Sequence, residues 1–374
     1  MNRTARFQRA VRVNLVVGVL LGLGAIALLF VLHAAGAVAG GPLRFLARDL
    51  ASLPVKQTFK HAGYVSVVAI SPNSRYLAAG GLLERSISVW DLATGKLLHR
   101  LSNDEGSVSG LAWSPDSARL ASGRDFIRIV KGHIAVDVWD IATGRRLLSM
   151  PDAFVSTRVS PGVRKLAFSP DGTRIAAALS GLALYDAQTG ALVRSAKDHP
   201  AHGGVVAFSR DGRYLATSGR PRQTPIELLD PRTGALLRSL VADVTMQQIV
   251  EFSPDSRVIA SAAIDERVVA LWDVDRGGLL GEPLRGHTGL MRALAFSGDG
   301  RWLASLGDGD GIKVWAWREA RLVASVPVGR LAGPVVLFSA DGKWLVSSED
   351  TVVQLRDFRS ALPALLTELE PKRS

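Results

Sequence analysis

The sequence predicts an all-β chain, a seven-bladed β-propeller of four-stranded antiparallel blades preceded by one transmembrane helix. Three observations predict it. A turn tetrapeptide of the form Ser-x-Asx-Ser/Gly recurs seven times between residues 71 and 342. Each copy lies between two apolar runs and is followed by a third, which in its clearest form ends in Trp-Asp. The chain opens with four arginines and then a long uncharged apolar stretch.

That stretch comes first in the chain. Arg3, Arg6, Arg9 and Arg12 precede Leu15–Leu32, 18 residues without a charge. About 20 apolar residues cross a hydrocarbon layer of ~30 Å, so a helix over about 13–39 is long enough. The cations lie mostly before the span, which predicts a cytoplasmic amino end and translocation of the chain beyond the span. Its length favours an uncleaved anchor and a single-pass membrane protein. The alternative is a secreted chain cleaved near Ala39, since Ala37-Val38-Ala39 has the small-x-small form of a signal-peptidase site. Either way the rest of the chain is expected outside the cytoplasm, in the periplasm of a bacterial cell.

The repeats fill the remainder. The seven turn serines, Ser71, Ser114, Ser169, Ser209, Ser253, Ser297 and Ser339, are spaced by 43, 55, 40, 44, 44 and 42 residues. Asp and Gly between two β-rich runs make a tight turn, so each copy is a hairpin. The third run ends in Trp90-Asp91, Trp139-Asp140 or Trp272-Asp273, with weaker forms at Tyr185-Asp186, Leu229-Asp230, Trp315-Ala316 and Arg356-Asp357. A Thr-Gly turn follows in four repeats, and then a fourth run such as Lys96-Leu97-Leu98. Four antiparallel strands every 40–45 residues or so make one propeller blade. The expected division is 1–50 for the cationic tail and span, 51–358 for the ring, and 359–374 for a carboxy-terminal tail.

These residues resemble the WD-repeat family over about 53–358. The resemblance implies a ring closed by giving the last blade a strand from the other end of the chain. Leu53–Phe59 fits that strand, because Pro54–His61 aligns with Leu280–His287. It also implies a blade network of His, Ser/Thr, Asp and Trp, which only the sixth repeat approaches: His287, Ser305, Asp308 or Asp310, and Trp315. His61 and His199 stand at the position of His287, ten residues before their serines.

Composition limits the chemistry. The absence of cysteine removes disulfides, thiolate metal sites and thiol nucleophiles. The formal charge of +11 divides into +5 over residues 1–50 and +6 over the other 324. That is an orientation signal plus a modest excess, so nucleic acid is not an expected partner. Asp198-His199-Pro200-Ala201-His202 and Asp308-Gly309-Asp310-Gly311 have metal-like ingredients but lack the further ligands of a zinc or calcium site. No metal, cofactor or catalytic residue is expected.

Irregularity is the functional signal. The second repeat is over-long at its second turn, Arg124–His133, and at its connection to the third, Pro151–Gly162. Strand alternation puts both at one end of the ring, the end at which the family is said to receive partners. Arg124, Phe126, Arg128, Ile129 and Lys131, with Phe154 and Arg158 and with Arg220 and Arg222 of the fourth repeat, mix cationic and apolar character as binding surfaces do. The expectation is a non-catalytic, membrane-anchored scaffold that docks other proteins on this patch. The alternative is an extracytoplasmic enzyme or small-ligand binder, lactonase-like or quinoprotein-like, using the central channel. A channel lined by Arg, His and carboxylates favours the alternative, and one lined by small apolar residues favours the scaffold.

Overall fold

The turn chemistry sets the architecture. In all seven copies the serine hydroxyl donates to the carboxylate or amide oxygen two residues on, at 2.5–2.7 Å. It also accepts the backbone N–H five residues on, at 2.8–3.0 Å. The fourth residue is left-handed throughout (φ between 55° and 71°), which is why glycine or a small serine holds it. Where it is serine it does a second job. Ser74, Ser117 and Ser256 accept the N–H of Asp341, Asn73 and Asp211 from the neighbouring blade at 3.1–3.2 Å.

The computed structural model describes residues 53–82, 84–102, 106–125, 134–151, 163, 165–178, 181–196, 205–218, 226–242, 249–263, 266–329 and 335–367. They form seven four-stranded antiparallel sheets. Blade 1 is β2–β5 (Tyr64–Ile70, Tyr76–Leu82, Ser86–Asp91, Leu97–Ser102) and blade 2 is β6–β9 (Ser107–Trp113, Arg119–Asp125, Ile134–Asp140, Arg146–Pro151). Blade 3 is β10–β13 (Lys165–Phe168, Arg174–Ala178, Leu182–Asp186, Leu192–Ala196) and blade 4 is β14–β17 (Val206–Phe208, Leu215–Ser218, Ile226–Leu229, Leu236–Leu240). Blade 5 is β18–β21 (Ile249–Phe252, Val258–Ala262, Val268–Asp273, Leu284–Arg285) and blade 6 is β22–β25 (Met291–Phe296, Trp302–Gly307, Gly311–Ala316, Arg321–Val326). Blade 7 joins β26–β28 (Val336–Phe338, Trp344–Glu349, Val352–Asp357) to β1 (Val55–Lys60), so the ring closes with a strand from the amino-terminal side.

Closure is a ladder from Val55 opposite Arg356 to Lys60 opposite Val352, with one bulge at Lys56, and it is extended by the His61 N–H to the Thr351 carbonyl at 2.8 Å. The first strand of each blade packs beside the first strand of the next, around the central axis. The apolar core lies between blades. Trp272 of blade 5, for example, is buried among Ala216, Ile226 and Leu228 of blade 4. Burial on both faces explains why the inner strands read as apolar runs instead of alternating.

One expectation is refined, and another lies outside the described residues. Residues 359–374, expected as a tail, begin inside a helix, α1 (Phe358–Thr367). The Asp357 carboxylate caps it by accepting the Ser360 N–H at 3.0 Å, and Phe358 packs edge-on against Phe338 and Trp302. Pro363 within the helix hid it from sequence, because proline ordinarily ends one. Among the described residues no helix is long and apolar enough to cross a membrane. The expected transmembrane helix, in residues 1–50, lies outside the described residues. The chain divides into a unit of 1–46 and a unit of 47–374, and the ring is contained in the second.

Candidate functional site

A four-stranded blade has two ends. The first and third turns form one, called here the turn end. The second turn and the connection to the next blade form the other, the loop end. Each end binds its charged groups differently.

At the turn end, the carboxylates serve their own turns. Asp91, Asp140, Asp186 and Asp230 each accept the N–H and hydroxyl of the threonine three residues on, at 2.6–3.0 Å. In all four these bonds are the main reason the carboxyl lies below its ordinary pKa. Two open grooves lie here, one of about 620 Å³ across blades 2 to 4 along Arg119, Asp171, Arg174, Asp186 and Arg232, and one of about 340 Å³ between blades 3 and 4. Arg174 already bonds Asp186 at 2.7 Å and Arg119 donates to the Ala187 carbonyl at 3.0 Å. These bonds occupy Arg119 and Arg174, whereas Arg232 stays exposed at the groove's edge.

At the loop end the polar groups are buried between strands. In blade 6 the structure brings together His287, Ser305, Asp310 and Trp315. His287 Nδ1 lies 3.0 Å from Asp310 Oδ1, and its Nε2 lies 2.7 Å from Ser305 Oγ. Trp315 Nε1 donates to the same hydroxyl at 2.8 Å. Burial pushes the His287 imidazole below its ordinary pKa, while Asp310 pulls the other way. Asp308, the other carboxylate considered, instead accepts Arg292 Nε at 2.8 Å. Both ring nitrogens are engaged, so this histidine holds strands together and offers no proton to solvent.

Register identifies the same positions in the other blades. The residue eight after each turn serine, where blade 6 has Ser305, is Ala79, Ser122, Ala177, Thr217, Ser261 and Ser347. Blades 2 and 5 keep the tryptophan bond, Trp139 to Ser122 at 2.9 Å and Trp272 to Ser261 at 2.7 Å. In blade 7 an arginine replaces tryptophan and makes the same contact, Arg356 to Ser347 at 2.7 Å. Burial lowers that guanidinium's pKa, and Gln354 links it to Glu349. Blade 1 has the histidine but not the hydroxyl. His61 turns to Ser88 at 3.0 Å, and its Nε2 is buried without a partner among the described residues.

The expected docking patch is corrected at its first member. Arg124 belongs to strand β7 and is 4% exposed. Its guanidinium donates to the Asp137 carboxylate, which is fully buried and also accepts Ser149 Oγ at 2.7 Å. A charge so enclosed needs its partner and cannot meet another protein. Phe126, Arg128, Ile129, Lys131, Phe154, Arg158, Arg220 and Arg222 lie outside the described residues. Their anchoring strands all open at the loop end.

The innermost strand of each blade bears on the choice between the two functional expectations. Two residues before each turn serine, the inner strands carry Ala69, Ala112, Ala167, Ala207, Glu251, Ala295 and Leu337. Glu251 is the exception. Burial pushes its carboxyl up, and the charges of Lys165 and Arg210 partly oppose that. Sequence reading missed it, although a glutamate at an otherwise apolar position was a visible signal. Among the described residues, no group of three or more His, Cys, Asp or Glu side chains is placed to hold a metal ion.

Comparison with known proteins agrees with this geometry. The WD40 family (WD domain, G-beta repeat) matches residues 53–91, 95–127 and 278–316. Each match covers the outer strand of one blade and then the inner strands of the next, three strands of blades 1 and 6 and two of blade 2, and His61, His287, Trp90 and Trp315 stand within them. Similar proteins include a periodic tryptophan protein 2 homolog of Neurospora crassa, 34% identical over 30% of this chain and 11% of its own length. The WD repeat-containing protein SL1-17 of Schistosoma mansoni is 30% identical over 43% of this chain and 50% of its own. The small ribosomal subunit protein RACK1y of Oryza sativa is 31% identical over 30% and 29%. The alignments thus span half or less of these relatives. The chain carries WD40 repeats and folds as a seven-bladed β-propeller.

Proposed function

We propose that this chain is a non-catalytic scaffold that holds other proteins on the loop end of its ring and is tethered to a membrane by residues 13–39. One observation carries the docking half. The two long connections of blade 2, residues 126–133 and 152–164, leave from the same end, whereas the second turns of blades 1, 6 and 7 have three residues or fewer. Long loops on a closed ring add recognition surface without disturbing the sheets. SL1-17 is by name a WD repeat-containing protein, and RACK1y is by name a protein of the small ribosomal subunit. The tether rests on the sequence: four arginines, then 18 uncharged residues, with the amino end in the cytoplasm and the ring outside it.

In-cell crosslinking of the full chain tests the docking half. Replacing Phe126, Arg128, Ile129 and Lys131 with serine, and leaving Arg124 in place, removes crosslinks to partners while the membrane fraction of the chain is unchanged. Crosslinks that survive intact refute the patch. A reporter fused after Ser374 tests the orientation, and cytoplasmic activity of that reporter overturns it. The channel reading has one specific support, Glu251 with Lys165 and Arg210 within electrostatic range. A small ligand whose binding is lost in Glu251→Gln establishes it over the scaffold.

A further inference from the structure

The recurring bulge at the start of the fourth strands creates a feature that docking at the loop end leaves unused. In blades 1, 2, 3, 4, 6 and 7 the register slips by one residue at the same step, opposite Trp90, Trp139, Tyr185, Leu229, Trp315 and Arg356. A bulge sets two residues against one and turns the extra one out of the ladder. In blades 1 to 4 the extra residues are Leu98, Leu147, Val193 and Leu237, exposed by 37%, 51%, 43% and 53%, and in blade 7 it is the exposed Lys56. In blade 6 the equivalent Val323 is 7% exposed, within an apolar cluster that includes Leu53 and Phe358. The molecule thus covers one of five equivalent apolar steps with its own chain and leaves four open.

We propose that the turn end, with this apolar rim, rests on the surface of an anionic lipid bilayer. Three observations single out a bilayer. Equivalent positions on successive blades are related by rotation about the ring axis, so they lie at one height, and a flat occupant meets them all together. The turns beside them expose cations, Lys96, Arg145 and Arg232, with Arg276 paired to Asp273 at 3.8 Å, while the turn carboxylates accept their own turns' amides. Apolar side chains flanked by cations are the composition that binds anionic lipid interfaces. Finally, β1 enters the ring at this end, since Val55 pairs with Arg356, next to Asp357 at the third turn. Whatever precedes Leu53 therefore joins the ring on this side. The orientation rests on the tether proposed above, and it leaves the loop end pointing away from the lipid, open to partners.

The cysteine-free sequence makes the test direct. Leu147→Cys, Leu237→Cys and, at the loop end, Arg85→Cys are each labelled with an environment-sensitive dye in the full chain. The chains are then reconstituted into phosphatidylcholine vesicles with or without phosphatidylglycerol. The expected result is quenching by spin-labelled lipid at 147 and 237, stronger with phosphatidylglycerol, and none at 85. Reversing Lys96, Arg145, Arg232 and Arg276 to glutamate weakens that quenching by about tenfold or more, with tryptophan fluorescence reporting an intact fold. Chain that carbonate extracts from the vesicles overturns the tether, and this orientation with it. Carbonate-resistant chain whose dye stays in water at 147 and 237, or is quenched at 85 instead, overturns the orientation alone. Shielding of Leu147→Cys in native membranes but not in vesicles marks a protein occupant and likewise overturns it.

Discussion

Blade 6 and blade 4 have the same four strands in the same order, yet their interiors are held differently. Blade 6 joins His287, Asp310, Ser305 and Trp315 in one buried chain of hydrogen bonds. Blade 4 has Thr217 and Leu229 at the serine and tryptophan positions, and the hydroxyls of Thr217 and Ser218 are buried without partners among the described residues. Both make the Ser-to-Asp turn at 2.6–2.7 Å and the same pairing. The contrast teaches that turn and packing make a blade, while the polar network is a local reinforcement. Blade 2 is an intermediate, with the tryptophan bond retained and the Arg124–Asp137 pair in the interior.

The largest expected effect tests that intermediate. Asp137→Ala leaves a buried guanidinium unpaired and should cost about 3–5 kcal/mol. Urea unfolding of the detergent-solubilised chain, followed by tryptophan fluorescence, measures it, and a cost under ~1 kcal/mol contradicts an enclosed ion pair. Next, Ser305→Ala strips the hydroxyl from both His287 and Trp315 and should cost about 1–3 kcal/mol, whereas Thr217→Val removes an orphaned hydroxyl and should be neutral or stabilising. Equal losses in that pair of variants erase the distinction between the blades. A gain is expected from Ala79→Ser, which gives blade 1 the hydroxyl that Ser305 gives blade 6. It puts an acceptor beside His61 Nε2 and should add about 0.5–1.5 kcal/mol. A lower thermal midpoint for that variant means the position cannot hold the extra atom.

The smallest effect is on pH dependence. Burial lowers the pKa of both His61 and His287 in the folded ring. The unfolded chain therefore takes up these protons first as pH falls below about 6.5. The stability held by the two neutral imidazoles is whole above that pH and is lost as pH falls through the lower folded values. Asp310, also lowered, acts in the same direction but only in the more acidic carboxylate range. Hydrogen exchange between about pH 7.5 and 5.5 should show blade 6 losing protection before blade 4, and replacing His287 with asparagine should flatten the difference.

Much of the ring was legible because its signals are short-range. Each turn serine bonds residues two and five places on, so seven copies announce seven hairpins. The site was less legible. Arg124 followed a glycine and preceded a cationic, apolar segment, so it read as loop. Its partner Asp137 is 13 residues away on the next strand, and only the β7–β8 register, which sets Asp137 opposite Ser122, shows that Arg124 lies diagonally beside it inside the blade. Arg356 misled less, since it occupied the tryptophan position of a recognisable repeat. Nothing in its sequence neighbourhood announced that it would bond Ser347 as tryptophan does.

The sequence by itself therefore determined the number of blades, their turns and the strand that closes the ring, because those depend on residues close together in the chain or on a repeated period. The tertiary structure decided which charges are interior, which bulge residues stay exposed, and which end of the ring receives the amino-terminal strand. Those depend on strand register and on packing between blades. A one-residue slip turns a side chain from solvent to core, and no run of consecutive residues records which way it went.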